Sequence, residues 1–117
     1  MKAEKHLAKA LKIEKSLNKL LPDKKGENVA AIVELTYGII QHLLAYGCET
    51  RYNEHINSHV GLSKFLVNKD AQDMAEVFRR LDEFRAGRWY GGQENGEIVK
   101  ACLKFIKEVK KWSKLNA

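Results

Sequence analysis

Apolar and polar residues alternate at a helical period along almost the whole chain. Over residues 3–21, Leu7, Ala10, Leu11, Ile13, Leu17, Leu20 and Leu21 fall on one side, while Lys5, Lys9, Lys12 and Lys19 hold the other. That spacing predicts an amphipathic helix. Pro22 ends it, because a proline disfavours the helical conformation in the residue before it, and residues 22–26 read as a loop. Residues 28–46 predict a second helix with almost no polar face: Val29, Ile32, Val33, Leu35, Tyr37, Ile39, Ile40, Leu43, Leu44 and Tyr46. A helix apolar most of the way round is central, or lies partly in an oligomer interface. Gly47 is expected just past its C-terminus.

Residues 49–57 are polar and read as a loop. Asn57 or Ser58 is expected to cap a short helix running to about Leu66, and residues 67–69 to break it. Asp70, with Asp73 three residues on, has the form of a helix cap. The stripe that follows, Met74, Val77, Phe78, Leu81 and Phe84, carries a helix to about Arg85. Residues 87–96 form a glycine-rich loop holding Arg88, Trp89 and Tyr90. Asn95 is expected to cap the last helix, with Glu97 in its first turn, where the helix dipole favours an anion. Ile98, Cys102, Phe105, Ile106, Val109 and Trp112 give that helix its buried stripe, and Lys100, Lys104, Lys107, Lys111 and Lys114 line another face. The prediction is an all-α chain: an antiparallel up-down four-helix bundle with one additional short helix, in a single domain over residues 1–117.

Composition agrees. A chain of 117 residues, 44% hydrophobic and 31% charged, is one globular domain able to bury its own core. Two cysteines, Cys48 and Cys102, make a poor disulfide framework and are expected to be reduced thiols. The N-terminus has no apolar run of the kind a signal peptide needs, so a cytoplasmic location is expected. Residues 29–48 are long and apolar but include Glu34, Gln41 and His42, which favours a central helix over a membrane span.

Charge changes the picture more. The net charge of +6 is uneven: residues 1–25 have eight lysines against three acids, residues 97–117 six against two, and the middle seven basic residues against ten acids. Basic ends suit a polyanion or an acidic partner; the alternative is a solvated lysine surface.

Candidate chemistry is sparse. His42, Cys48, His55 and His59 lie close in sequence but match no zinc signature, and no metal or cofactor is expected. There is no phosphate-binding glycine loop and no nucleophile–histidine–acid spacing. The most unusual segment is residues 79–90, where Arg79, Arg80, Arg85 and Arg88 stand beside Trp89 and Tyr90. Arginine forks grip phosphate and aromatic rings stack on bases, so the segment suggests a nucleotide or RNA surface. The structural alternative is that these arginines pair with Glu76, Asp82 and Glu83 while the rings cover the end of the bundle.

Three stretches resemble the HEPN family of small helical nucleotide-binding domains, over roughly residues 28–112. They are the apolar second helix, residues 29–47; Ser58-His59-Val60-Gly61-Leu62-Ser63-Lys64-Phe65-Leu66, similar to a family segment with Thr-His-Lys-Gly followed by Phe; and Leu81-Asp82-Glu83-Phe84-Arg85-Ala86-Gly87-Arg88-Trp89-Tyr90-Gly91, similar to a segment with Leu and then Arg-x-x-Ala-Asp-Tyr-Gly. Trp89 stands where the family usually has aspartate. The resemblance implies a bundle that forms a homodimer and a nucleotidyltransferase partner protein, as in toxin–antitoxin-like pairs. The family's functional residues carry over to His59, Arg85, Tyr90 and Gly91 only; with Arg88, from the arginine–aromatic segment, and Arg51 added, Arg85, Arg88, Tyr90, Gly91 and Arg51 are the expected ligand-binding residues for a nucleotide or RNA, with His59 nearby. Some family members are metal-independent ribonucleases, which use an arginine, four to six mostly polar residues, then a histidine. Here His55 follows Arg51 after three residues and His59 after seven, so that pattern is not intact. In a ribonuclease, His59 would be the general acid or base. A third reading is a non-catalytic structural or antitoxin-like subunit.

Overall fold

The computed structural model describes residues 2–56, 59–87 and 95–114, with backbone only at 59, 60 and 95. Five helices and no strand occur among them: α1 (Ala3–Asn18), α2 (Val29–Tyr52), α3 (His59–Asn68), α4 (Gln72–Arg85) and α5 (Asn95–Trp112). The all-helical expectation holds.

α2 is the hub and touches each of the other four helices. Twelve of its residues are buried, including Ile32, Ile39, Ile40, Leu43, Leu44 and Cys48. By length and composition alone it could cross a membrane, but no large apolar side chain of α2 is exposed, so its apolar faces are covered within the chain. α1 runs against it in the opposite sense, pairing His6 with His42 and Ile13 with Gly38. α4 also opposes α2: Arg85 reaches Glu34, and Phe78 stacks on Tyr37 at 5.2 Å. α5 runs the same way as α2, so that Ser113 Oγ donates to the Leu43 carbonyl at 3.2 Å and Trp112 lies against Gly47.

Three local expectations are corrected. Gly47 does not end α2; the helix continues to Tyr52 and closes on Asn53 in the left-handed conformation (φ 56°). Asn53 N–H donates to the Glu49 carbonyl at 3.0 Å there, a role asparagine fills because it tolerates that conformation. The glycine at 47 answers to packing instead. A Cβ at that position would meet the Trp112 ring at 2.2 Å. Residues 49–52 are accordingly helix, not loop.

The second correction concerns Asp70, which does not cap α4. It adopts φ 61° and closes α3, and Ala71 N–H then donates to the Leu66 carbonyl at 2.8 Å. Ala71 is the residue before α4 and makes no side-chain cap. Third, α1 ends at Asn18 rather than at 21. The turn into α2 is organised by Asp23, whose carboxylate accepts from the Glu27 and Asn28 backbone N–H groups at 3.2 and 3.0 Å.

Candidate functional site

The residues singled out from the sequence are not brought to one place. Arg85, the last residue of α4, is held by Glu34, its Nε 3.2 Å from both carboxylate oxygens, and its guanidinium lies 4.0 Å from the Tyr37 ring centroid. Arg79 is likewise neutralised. Its Nε donates to Glu76 at 2.9 Å and a further N–H reaches Glu83. The hydrogen bond from Arg79 holds the Glu76 carboxyl below the usual carboxylate range. Arg80 lies over the Phe105 ring at 5.3 Å. Within the described part of residues 79–90, the pairing alternative holds for Arg79, and Arg85 is paired too, with an acid on α2. Arg88, Trp89, Tyr90 and Gly91 lie outside the described residues, as does the His59 side chain, although His59 is the first residue of α3.

Arg51 stands at the other end of α2. Seventeen residues separate it from Glu34, which at 1.5 Å per residue puts it about 25 Å from the Arg85 pair. Its surroundings differ in kind. Arg51 Nη1 donates to the Trp112 carbonyl at 3.0 Å, and its guanidinium lies 5.2 Å from the Trp112 ring and 5.8 Å from the Tyr52 ring. The bond satisfies a carbonyl at the C-terminus of α5, where a cation complements the dipole. It uses one of five guanidinium N–H donors.

Two open grooves meet at Arg51. One, of about 340 Å³, is lined by Tyr46, Thr50, Arg51, Tyr52, Ser113 and Lys114. It presents two cations, hydroxyl groups and no carboxylate. The other, of about 420 Å³, adds Lys111 and Trp112 together with Asp73, Met74 and Glu108. Lys69 lies over the Tyr52 ring on a further side, at 5.6 Å. Among the described residues, no carboxylate lies within ion-pair distance of Arg51, Lys69, Lys111 or Lys114. The lysine stripe of α5 therefore ends in a corner where free cations flank aromatic rings. Cations beside rings of this kind can grip phosphate, and a ring face that no cation covers can stack on a base.

Sequence reasoning assigned no role to His6. It is 5% exposed, and its Nδ1 lies 2.9 Å from His42 Nδ1 across the α1–α2 seam. The His55 ring is 6.0 Å from it, and His55 Nδ1 approaches Glu49 at 3.3 Å. Burial pushes both the His6 and His42 pKa values below the ordinary imidazole value, and cationic neighbours add to the effect. The missed signal was the spacing of His6, Ala10, Ile13 and Leu17, which share one helical stripe. Leu11, assigned to the apolar side, is 45% exposed. Among the described residues, no three His, Cys, Asp or Glu side chains are arranged to hold a metal ion. Cys48 and Cys102 are free and buried, and burial pushes both thiols up to about 11, so neither is poised as a nucleophile.

Compared with models of protein families, with curated proteins and with solved structures, the chain gives no match.

Proposed function

We propose that the chain is a nucleotide- or RNA-binding module whose binding surface is the corner where α2 and α5 end. One contrast carries this reading. The arginines of α4 that attract attention in the sequence, Arg79 and Arg85, are neutralised by Glu76, Glu83 and Glu34. Among the described residues, Arg51, Lys111 and Lys114 have no ion pair, although Asp73 and Glu108 share one groove with them, and they sit beside Trp112 and Tyr52. A phosphate would meet the guanidinium and the lysines, and a base would stack on the exposed part of a ring. The open, shallow shape suits a flexible single strand or a nucleotide more than a small molecule that must be enclosed.

The HEPN resemblance belongs to the same proposal. It supplies the finer architecture, an antiparallel up-down four-helix bundle with one short extra helix. It also supplies the setting, a homodimer acting beside a nucleotidyltransferase in a toxin–antitoxin-like pair. The opposed runs of α1 and α4 against α2 support that architecture.

The test is titration of ATP and of a short single-stranded RNA against the wild type and a Lys111→Gln, Lys114→Gln double variant. Neither lysine has an ion pair to lose among the described residues, so the double variant is expected to keep the fold. With about 0.7 kcal/mol for each lost surface charge contact, RNA binding weakens about tenfold. Arg79→Ala serves as the control and leaves affinity unchanged. Equal affinity for wild type and the double variant would overturn the proposal.

A further inference from the structure

The seam between α1 and α2 carries a polar pair in an otherwise apolar contact. Around it, Ala10 and Leu17 are buried and Ile13 packs on Gly38. His6 from α1 and His42 from α2 place their Nδ1 atoms 2.9 Å apart, with ring centroids at 5.2 Å. The second nitrogen of His6, Nε2, is buried without a hydrogen-bond partner. A hydrogen bond between two imidazole nitrogens needs one of them bare. When both rings are protonated, each Nδ1 carries a hydrogen, so two N–H groups and two positive charges face each other.

The surroundings do little to offset that repulsion. His6 faces His42 and Glu49 from α2 and His55 from the segment after α2. His42 faces His6 and Lys9 from α1. Glu49 is the one carboxylate in this set, and it is already engaged by His55 at 3.3 Å.

We infer that the His6–His42 pair is a proton-operated latch: neutral, it holds the first turns of α1 against α2, and protonation of both rings releases them. The second half of α1 stays pinned, because Glu14 holds Lys110 of α5 at 2.8 Å through both carboxylate oxygens. Release is therefore a fraying of the N-terminal half of α1. It uncovers the α2 surface beneath Leu7 and Ala10.

The direction with pH follows from the two environments. In the docked helix both imidazoles sit below the ordinary value of 6.5. In the released helix they titrate at that ordinary value, so the released state binds more protons. Docking has full strength above 6.5, weakens as pH falls from 6.5 toward the depressed values, and levels off below them. For each ring, every pH unit inside that window weakens docking roughly tenfold.

The experiment is amide hydrogen exchange on the whole chain between pH 7.5 and pH 5, corrected for the intrinsic pH dependence of exchange. The expected result is that protection of the Leu7, Lys9 and Ala10 amides is lost progressively as pH falls below 6.5 while that of Val77 and Phe78 in α4 is unchanged. His42→Gln, which stays neutral and can still donate to His6, reduces the pH dependence at α1 to the share of His6 alone. Protection of α1 that does not respond to pH in the wild type overturns the latch, and so does an undiminished response in His42→Gln. Should that variant not fold, the imidazole resonances of the wild type decide instead. Both His6 and His42 titrate below 6.5 if the latch exists, and an ordinary midpoint for either refutes it.

Discussion

Replacing Gly47 by alanine separates two accounts of that residue. A glycine that ends a helix in the left-handed conformation would lose about 1 kcal/mol on becoming alanine whatever packs beside it, whereas one inside a helix should gain about 0.5–1 kcal/mol unless packing opposes it. Gly47 is inside α2, and it is not among the positive-φ glycines, so the backbone would favour the change. Packing opposes it. The new Cβ would lie 2.2, 2.9 and 3.0 Å from three carbons of the Trp112 ring, and contacts that short force the ring to move. Overpacking of this kind costs about 1–3 kcal/mol. Trp112 is the last residue of α5 and half-buried, so part of the clash relaxes. The net expectation is a loss of about 1 kcal/mol, or roughly 4 °C in Tm for a chain of this size. Urea unfolding followed by circular dichroism measures it. A Trp112→Leu background removes the clash, so Gly47→Ala should become neutral or stabilising there, which a double-mutant cycle reads directly. If Gly47→Ala is as stable as wild type in the native background, Trp112 does not pack against α2 as described. The aromatic floor of the Arg51 corner would then be misplaced.

Other outcomes follow from the core and the seams. Phe78 is fully buried and stacked on Tyr37, so Phe78→Ala should cost about 3–5 kcal/mol in denaturant unfolding, and a cost below 1 kcal/mol would contradict that placement. The Glu14–Lys110 pair is about one-fifth exposed on each side; a double-mutant cycle should give a coupling of about 0.5–1 kcal/mol that shrinks in high salt. Cys48 and Cys102 are buried with thiols pushed up to about 11. Neither should react with a thiol reagent at neutral pH until denaturant is added, and rapid labelling of the native chain would refute their burial.

Helical character was legible because the 3.6-residue period is strong: the stripes of α4 and α5 appear in the structure at the residues expected from spacing alone. The errors differ in source: some residues answer to a partner far away in sequence, others to the local turn of the chain. Gly47 reads as a stop signal until Trp112, 65 residues on, is seen to occupy the space where its side chain would be. Asp70 reads as a cap, but the chain reverses there and needs a residue that accepts φ 61°. His6 shares a helical stripe with Ala10, Ile13 and Leu17, but its partner His42 lies 36 residues on, and the pair is visible only in the fold. The candidate site shows the same limit. Charge type could be read locally, but whether an arginine is free or neutralised depends on which acid the fold brings to it. Glu34 lies 51 residues before Arg85, and nothing in the local pattern announces their contact.

The salt dependence of RNA affinity tests the central claim most directly. Four cations, Arg51, Lys69, Lys111 and Lys114, face the grooves or their rings. If all four neutralise phosphates of a single strand, log affinity should fall against log salt with a slope of about −3, and the Lys111→Gln, Lys114→Gln variant should give about −1.4. Arg79→Ala should retain the wild-type slope. A slope unchanged in the double variant, or one that shifts instead with Arg79, would place the binding surface elsewhere and contradict the account.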